Sequence, residues 1–402
     1  HVFFASDLAR PQANADLDRA VRDAAAGTPT ELVLATYARE LFAGRSARAQ
    51  ALARVAKLML PAEPAFANVD LSPATDPPAR VARWRDITAK HPAYAPAWNA
   101  LAYALWASAD RQGALEAARK QLELAPHQPN AHDTYAELLQ WNGDFDGAEV
   151  AYRRAIEIEP TFAEGYAGLA ELAVLRGSTR IARTELTRAL AKVPGAANQQ
   201  ALLRQLAAAY RLEDDTLQAF AQLEQAARVA AARDDTTAMA LLAAQMAVVE
   251  AMRRQVAPAH ALLARATTLR AKEQPVLYFT AVAHALLGHW DEVTATITKA
   301  RAEPEAAIAA ARNRLAAAEG GMLVRRRRPK EALAVLQQAD TTDLPVLSWI
   351  AAANADLGDA AAANAQYQRI VSDRAVNLLD WAAVGARVRA RTALGLRAAT
   401  NR

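Results

Sequence analysis

Apolar residues recur along this chain at helical spacing, in blocks separated by short polar turns. Within residues 145–158, Ala148, Tyr152 and Ala155 are four and three positions apart, which places them on one side of an α-helix. The turn WNGDFDG precedes this block and Pro160 follows it. Glycine favours the end of a helix, and proline cannot continue one. The pattern therefore predicts a helix of about four turns with a marked beginning and end.

Close copies of this block recur at a spacing of 34 residues. The period is marked by four prolines, Pro92, Pro126, Pro160 and Pro194. Small residues fill two columns of the same alignment, Ala102, Ala136 and Ala170, and then Ala114, Ala148 and Ala182. A fixed period of this length indicates tandem structural units. Because two helices approach closely only where side chains are small, the alanine columns predict the helix–helix contacts.

Each unit divides into two helices with a polar turn between them. The first helices are predicted over residues 95–107, 129–141 and 163–175, and the second helices over residues 111–124, 145–158 and 179–192.

If helices touch at the alanine columns, Ala136→Leu should overpack the contact and cost about 1–3 kcal/mol of stability. Ala131 lies outside those columns, so the same change there is expected to cost much less.

The columns resemble those of the tetratricopeptide repeat (TPR). The first unit matches with Trp98, Leu101, Ala102, Leu105, Ala114 and Pro126; the second with Tyr135, Ala136, Leu139, Ala148, Tyr152, Ala155 and Pro160; and the third with Tyr166, Leu169, Ala170, Ala182, Ala189 and Pro194. The resemblance implies an all-α, right-handed superhelical solenoid of about eight or nine antiparallel helix pairs. It also implies a concave groove lined by the first helix of each pair, and a protein-interaction scaffold without enzymatic activity.

Outside these three units the pattern is weaker but continues. Second-helix signatures recur at Ala219/Leu223/Ala226, Val293/Ile297/Ala300, Ala332/Leu336/Ala339 and Ala363/Tyr367/Ile370, and a further pair is expected within 237–270. The predicted organisation is a degenerate helical segment over 1–60, a proline-rich loop over 61–78, well-matched units over 79–195, divergent units over 196–375, and a capping helix with a tail over 376–402. A repeat array needs capped ends, so the helix at about 376–397 is expected to close the C-terminal end.

The resemblance assigns groove-facing positions to Asn99, Tyr103, Trp106, Asn130, Asp133, Glu137, Gln140, Trp141, Glu164 and Glu171. Flat aromatic side chains beside carboxylates suit a peptide or partner protein with basic and apolar character. The alternative is that the tryptophans pack against the next repeat and that the carboxylates are simply solvated. A clamp for a C-terminal carboxylate is disfavoured, because acidic side chains repel one.

A basic run is formed by Arg325, Arg326, Arg327, Arg328 and Lys330. It could hold phosphate, an acidic lipid or an acidic partner, but a loop whose arginines satisfy the carbonyl groups at a helix end is the favoured interpretation. The histidine pairs His127/His132 and His284/His289 are five residues apart, which separates them by about 140° on a helix. We therefore expect no metal site and no cofactor. His1 could chelate copper through its N-terminal amine, but this single residue is the only support for such a site.

The remaining features restrict the class of protein. The net charge is 47 − 43 = +4, too diffuse for a nucleic-acid binder. No cysteine is present, which excludes disulfides and thiolate metal sites. No run of 18 apolar residues occurs, so no membrane span is expected. We find no hydrolase, metalloprotease, P-loop or dinucleotide motif, and AEGGML (318–323) lacks the strand–turn–helix context of a phosphate loop.

The N-terminus suggests a second hypothesis of a different class. The chain begins at His1 and not at Met, and residues 2–4 are large and apolar. A processed or trimmed chain is expected, which favours a periplasmic or extracellular location in a bacterium, and the abundance of arginine and alanine is typical of a GC-rich bacterial genome. An exposed HVFF segment could add to a neighbouring molecule. The chain would then be a self-assembling protein that forms oligomers or filaments.

Overall fold

The computed structural model describes residues 13–42, 46–60, 62–66, 76–270, 272–374 and 378–396. Within these ranges the chain is all-α and contains no strand, so the predicted fold class is confirmed. The expectations for His1, the HVFF segment and residues 67–75 of the proline-rich loop concern positions outside the described residues. None of the helices in these ranges is long and apolar enough to cross a lipid bilayer.

The helices follow one another with short connections. Their bounds are Ala13–Ala24, Pro29–Phe42, Ser46–Met59, Pro77–Lys90, Ala95–Ala107, Arg111–Leu124, Pro129–Asn142, Phe145–Ile158, Ala163–Leu175, Thr179–Lys192, Ala196–Leu212, Thr216–Ala231, Thr236–Met252, Val256–Arg270, Gln274–Leu287, Trp290–Arg301, Ala309–Arg325, Pro329–Leu336, Leu344–Asp356, Ala360–Ser372 and Trp381–Ala393. Short 3-10 helices lie at Pro64–Phe66 and Pro304–Ala307. The six helices predicted within residues 95–192 are confirmed, with every end within one residue of the prediction.

The polar turn inside each repeat has a specific backbone geometry. Gly143 adopts a left-handed conformation with φ 95° and ends its helix. The next residue, Asp144, is the N-cap of the following helix, and its Oδ1 accepts a hydrogen bond from the Gly147 backbone N–H at 2.9 Å. Asp110 accepts from the Gly113 N–H at 2.9 Å in the same way one repeat earlier. The turn WNGDFDG therefore ends one helix and caps the next.

A second recurring contact explains a column with mixed residue types. The Trp98 Nε1–H donates to the Pro92 carbonyl oxygen at 2.9 Å, the His132 Nε2–H donates to the Pro126 carbonyl at 2.9 Å, and the Tyr166 hydroxyl donates to the Pro160 carbonyl at 3.0 Å. Each donor lies six residues after its proline. The residues of this column share a flat ring with an N–H or O–H group. This group donates a hydrogen bond to a backbone carbonyl oxygen at the junction between repeats.

The chain divides into two compact units, one of residues 1–168 with 192–195 and one of residues 169–191 with 196–402. In the first unit, each helix from residue 77 to residue 158 packs against the next. The core includes Leu101, Leu105 and Leu138 and the fully buried alanines of the two columns. Ala131 is also fully buried, so the expectation that it lies away from a contact is wrong. Helix Pro129–Asn142 has neighbours on two sides, which buries more than one of its faces.

In the second unit, the first helices of successive pairs contact one another in chain order. Helix Thr236–Met252 packs against Gln274–Leu287, which packs against Ala309–Arg325, which packs against Leu344–Asp356. The predicted second-helix signatures lie in helices except for Ala339, which follows the end of helix Pro329–Leu336, and their leading alanine or valine residues are buried. Gly320 and Gly321, the glycines of AEGGML, lie inside helix Ala309–Arg325 and allow the side chains of Leu336 and Trp349 to approach.

The last helix, Trp381–Ala393, does more than cover the C-terminal end, and we call it the closing helix. It packs against Leu344–Asp356 and Ala360–Ser372, as a terminal cap should, but also against Ala196–Leu212. The Arg211 Nη1 donates to the Trp381 carbonyl oxygen at 2.8 Å. The closing helix therefore contacts both the last pair and a helix about 170 residues earlier in the chain.

Candidate functional site

The predicted groove tryptophans pack against each other in the first unit. The ring centroids of Trp106 and Trp141 are 5.3 Å apart, and Tyr103 lies 6.0 Å from the Trp141 ring. Both tryptophans are partly buried against the core cluster that contains Leu138. The structure thus supports the packing alternative for the tryptophans, while part of each ring stays exposed.

A guanidinium group covers one of these rings. The Arg111 Cζ lies 3.7 Å from the Trp106 ring centroid, and the Arg111 Nη1 donates to the Trp106 carbonyl oxygen at 3.2 Å. The negative charge on the face of an indole attracts a cation placed there. The exposed indole surface in this region therefore accepts a cationic side chain.

One carboxylate contacts the aromatic cluster, and a second lies near enough to act on the first electrostatically. The Tyr103 hydroxyl donates a hydrogen bond to Glu137 Oε2. Burial raises the pKa of the Glu137 carboxyl group; the Tyr103 hydrogen bond offsets part of this effect, and the negative charge of Glu164 adds to it. Burial, together with the Glu137 charge, also raises the pKa of Tyr103. Within the described part of the chain, neither Glu137 nor Glu164 forms an ion pair with a basic side chain.

These five residues form one surface, which we call the acidic aromatic surface: Tyr103, Trp106, Glu137, Trp141 and Glu164. Consecutive first helices supply them, because equivalent positions of neighbouring repeats lie side by side. Tyr103 and Glu137, for example, are 34 residues apart. The surface combines partly exposed rings with two carboxylates that form no ion pair with a basic side chain of the described residues.

The two predicted asparagines take part in an internal polar network. The Asn99 Nδ2 donates to the Thr134 Oγ1 at 2.7 Å, and the Gln121 Nε2 donates to the Asn130 Oδ1 at 3.2 Å. Asn99 and Asn130 also lie within hydrogen-bonding distance of each other, at 3.4 Å. The network joins three successive helices, and the sequence columns gave no sign of the roles of Gln121 and Thr134.

Two other predicted groove residues are interior. Asp133 is 6% exposed and Gln140 is 1% exposed. The Tyr152 hydroxyl donates to the Gln140 Oε1 at 3.3 Å from the second helix of the same pair. The structure therefore corrects the expectation that Asp133 and Gln140 line a groove. Both were assigned from their column numbers, which do not show how deeply the neighbouring helix covers a position.

Glu171 lies in the second unit and contacts the chain's own C-terminal segment. Its Oε1 accepts a hydrogen bond from the Leu378 backbone N–H at 3.1 Å, three residues before the closing helix. Its charge also favours the protonated form of Arg387, although burial lowers the pKa of that side chain overall. Glu171 thus helps to hold the closing segment, a role that the sequence columns did not predict.

All five side chains of the basic run are exposed. Three arginines have separate partners: Arg325 lies over the Trp349 ring, Arg327 pairs with Asp356, and Arg328 pairs with Glu331. The run spans the turn between helices Ala309–Arg325 and Pro329–Leu336, as the loop interpretation predicts. These three side chains contact a ring and two carboxylates, however, and not the carbonyl groups of a helix end.

The helical-angle argument for His284 and His289 does not apply, because helix Gln274–Leu287 ends between them. Their ring centroids are 5.9 Å apart, and His260 lies 6.2 Å from the His284 ring and 4.9 Å from the His289 ring. Burial lowers the pKa of His284. Across the described ranges, no group of three histidine, cysteine or acidic side chains is arranged to hold a metal ion.

Comparisons with known proteins agree with the repeat architecture. Residues 139–206 match the family model of the tetratricopeptide repeat, and no curated protein matches the chain significantly. A tetratricopeptide repeat protein from Parabacteroides merdae is 14% identical, with 64% of this chain and 98% of that chain covered and a TM-score of 0.46. Yeast Tom70 is 13% identical, with 97% and 93% covered and a TM-score of 0.44. YrrB, a TPR protein with an unusual peptide-binding site, is 19% identical, with 46% and 92% covered and a TM-score of 0.32.

These solved structures are too distant in sequence for any residue role to be transferred from them. The family match, however, overlaps the region where the helix pairs, the alanine columns and the prolines repeat most regularly, over residues 139–194. The family match and the observed helix pairs therefore agree over these residues. The chain contains tetratricopeptide repeats, which the family match places within residues 139–206.

Proposed function

We propose that this chain is a non-enzymatic scaffold that binds a basic segment of a partner protein on the acidic aromatic surface. Tandem helix pairs present extended side-chain surfaces that serve protein recognition. The observation that carries the proposal is a pair of carboxylates, Glu137 and Glu164, that form no ion pair among the described residues, with Glu137 hydrogen-bonded to Tyr103 next to the partly exposed Trp141. The Arg111 side chain over Trp106 supports it, because this contact is the kind that a partner's arginine would make.

The burial of Glu137 strengthens the expected interaction. A carboxylate that is already partly desolvated attracts a cation more strongly than one on open surface, because less water screens the pair. The exposed parts of Trp106 and Trp141 add apolar and cation–π contact. An extended segment in which basic and apolar residues alternate therefore fits this surface best.

The proposal is tested with labelled peptides in which arginine alternates with leucine, and with matched peptides in which glutamate replaces arginine. We expect the full chain to bind the basic peptide and not the acidic one in fluorescence anisotropy. Changing both Glu137→Gln and Glu164→Gln should weaken binding at least about tenfold, or roughly 1.4 kcal/mol. Tyr103 can still donate to an amide oxygen at position 137, so the helical content measured by circular dichroism should not change.

A matched control is available on helix Arg111–Leu124. Glu116 and Glu123 are exposed, and Glu116→Gln with Glu123→Gln makes the same change in net charge away from the acidic aromatic surface. We expect this pair of changes to leave peptide binding nearly unaffected. Equal losses in the two double variants would show that only the overall charge matters, and the proposed surface would then be rejected.

The pH dependence gives a second readout. A cation binds the ionised carboxylate, so affinity should fall as the pH is lowered through the pKa of Glu137. Burial raises that pKa above the ordinary value of 4.5, so the loss should begin at a higher pH than for a solvated glutamate. The change Glu137→Gln should remove this part of the pH profile. A wild-type profile that stays flat down to the ordinary range of a glutamate would contradict a direct role for Glu137.

A further inference from the structure

A cavity of about 170 Å³ in the second unit is lined by three arginines, Arg211, Arg325 and Arg389. They belong to three helices that are far apart in sequence, the last being the closing helix. Apolar side chains such as Val282 and Leu286 form much of the remaining wall. The volume well exceeds the roughly 10–15 Å³ that one water molecule needs, so the cavity has room for a small solute.

Two of the arginines share one aromatic ring. The Cζ atoms of Arg389 and Arg325 lie 4.2 Å and 5.6 Å from the centroid of Trp349. Gly321 makes this arrangement possible, because a Cβ atom there would lie 2.6 Å from the Trp349 ring. The indole therefore lies close against helix Ala309–Arg325 and holds two guanidinium groups at the cavity wall.

The three guanidinium groups have no acidic partner in contact. Within the described residues, no carboxylate forms an ion pair with Arg211, Arg325 or Arg389. The Arg389 Nε and Nη2 donate to the Ser348 Oγ at 3.2 and 2.6 Å, and the Arg211 Nη1 donates to a backbone carbonyl. The Arg211 Nε is buried without a hydrogen-bond partner. Several N–H groups of the cluster thus lack an acceptor.

The electrostatic environment of the cluster is unfavourable without an anion. Burial lowers the pKa of Arg211 to about 10, and burial together with the positive charges of Arg211 and Arg325 lowers the pKa of Arg389 to about 10. Tyr278, Asp214 and Asp380 act on Arg211 in the opposite direction, but none of them forms an ion pair or a hydrogen bond with it. Charged groups withdrawn from water need a counter-charge or a full set of hydrogen bonds.

We propose that this cavity, which we call the arginine cavity, binds a small oxyanion, a phosphate or a carboxylate group, between Arg211, Arg325 and Arg389. Guanidinium groups present paired N–H donors whose geometry matches two oxygens of such a group. The site lies wholly within the second unit and shares no residue with the acidic aromatic surface. It therefore stands independently of the function proposed above. The bound anion would link the closing helix to two earlier helices.

The direct test is calorimetric titration of the full chain with sodium phosphate and, separately, sodium succinate, with sodium chloride at matched ionic strength as the reference. We expect saturable binding at one site, and the tighter of the two probes identifies the class of oxyanion. Chloride should produce no saturable heat. If neither phosphate nor succinate shows saturable binding up to millimolar concentration, the proposal is overturned, and this result does not depend on the folding of any variant.

Arg325→Met is the cleanest variant, because Arg325 has no carboxylate partner to leave unpaired. It should weaken binding of the preferred oxyanion at least about tenfold, while the melting temperature without oxyanion stays the same or rises, since one of three like charges is removed. Arg326→Met is the matched control, because Arg326 is the adjacent arginine, is exposed as Arg325 is, and does not line the cavity. An equal loss of oxyanion affinity in both variants would show that only the overall positive charge attracts the anion. The proposed site would then be rejected.

Discussion

At the scale of single residues, the turns between paired helices show backbone strain at defined positions. Ala109, Gly143 and Gly177 are 34 residues apart and have φ values of 65°, 95° and 81°. The left-handed conformation costs an ordinary residue about 1–2 kcal/mol, because its Cβ atom crowds the following carbonyl oxygen. Ala109 therefore carries strain that the glycines of the next two repeats avoid.

Ala109→Gly is expected to stabilise the chain by about 0.5–1 kcal/mol, since relief of the strain exceeds the added freedom of glycine in the unfolded state. Gly177→Ala should have the opposite sign and a similar size, because nothing lies within 4 Å of a Cβ atom there and only the backbone strain is introduced. Urea unfolding followed by circular dichroism measures both changes. Shifts of the same sign in the two variants would refute the explanation.

The residues of the acidic aromatic surface show what a column alignment can and cannot predict. Tyr103, Glu137 and Trp141 could be assigned because equivalent positions of consecutive helices lie side by side. Gln140 could not be assigned correctly, because its exposure depends on Tyr152 of the second helix. The contact of Glu171 could not be predicted for a different reason, since its partner, Leu378, lies 207 residues away and no local pattern connects the two.

At the scale of helices, the alanine columns determine how closely neighbours pack. Helix Thr216–Ala231 illustrates this, because Ala219, Ala226 and Ala230 are buried while Ala221 is exposed. The bounds of such helices were predictable because capping residues, glycines and prolines act locally. The helices against which the closing helix packs could not be predicted. Its apolar positions fit a terminal cap as well as they fit a contact with a distant helix.

Ala226→Leu is therefore expected to overpack a helix–helix contact and destabilise the protein by about 1–3 kcal/mol. Ala221→Leu, five residues earlier in the same helix, should change stability by no more than about 0.5 kcal/mol. The two variants add the same side chain to one helix, so the difference in their urea midpoints measures packing alone. Equal effects would mean that the buried alanines of this helix do not mark its contacts.

At the scale of the whole molecule, the closing helix determines which parts of the second unit should be destabilised by a deletion. In a simple repeat array each unit depends only on its neighbours, so the effect of a deletion fades with distance. Here Trp381, Leu378 and Leu379 are buried, and the closing helix packs against Ala196–Leu212 as well as against the last pair. Deletion of the closing helix should therefore also destabilise helix Ala196–Leu212.

Removing residues 378–402 is expected to accelerate backbone amide exchange in helix Ala196–Leu212, measured by mass spectrometry of the full-length and shortened chains. Helix Val256–Arg270, which does not pack against the closing helix, should be much less affected. A chain ending at residue 396 keeps the closing helix and should behave as the full chain does. An effect confined to helices next to residue 372 would show that the distant contact contributes little.

The long separation between Arg211 and Trp381 also has a consequence for biosynthesis. These residues are 170 positions apart, and at about 5–20 residues per second a ribosome needs roughly ten to thirty seconds to pass from one to the other. During that interval the surface of helix Ala196–Leu212 that receives the closing helix has no partner to cover it. Translation must pass residue 393 before the second unit can finish folding, so a chain stalled before that point would expose this surface to the cell's chaperones and proteases.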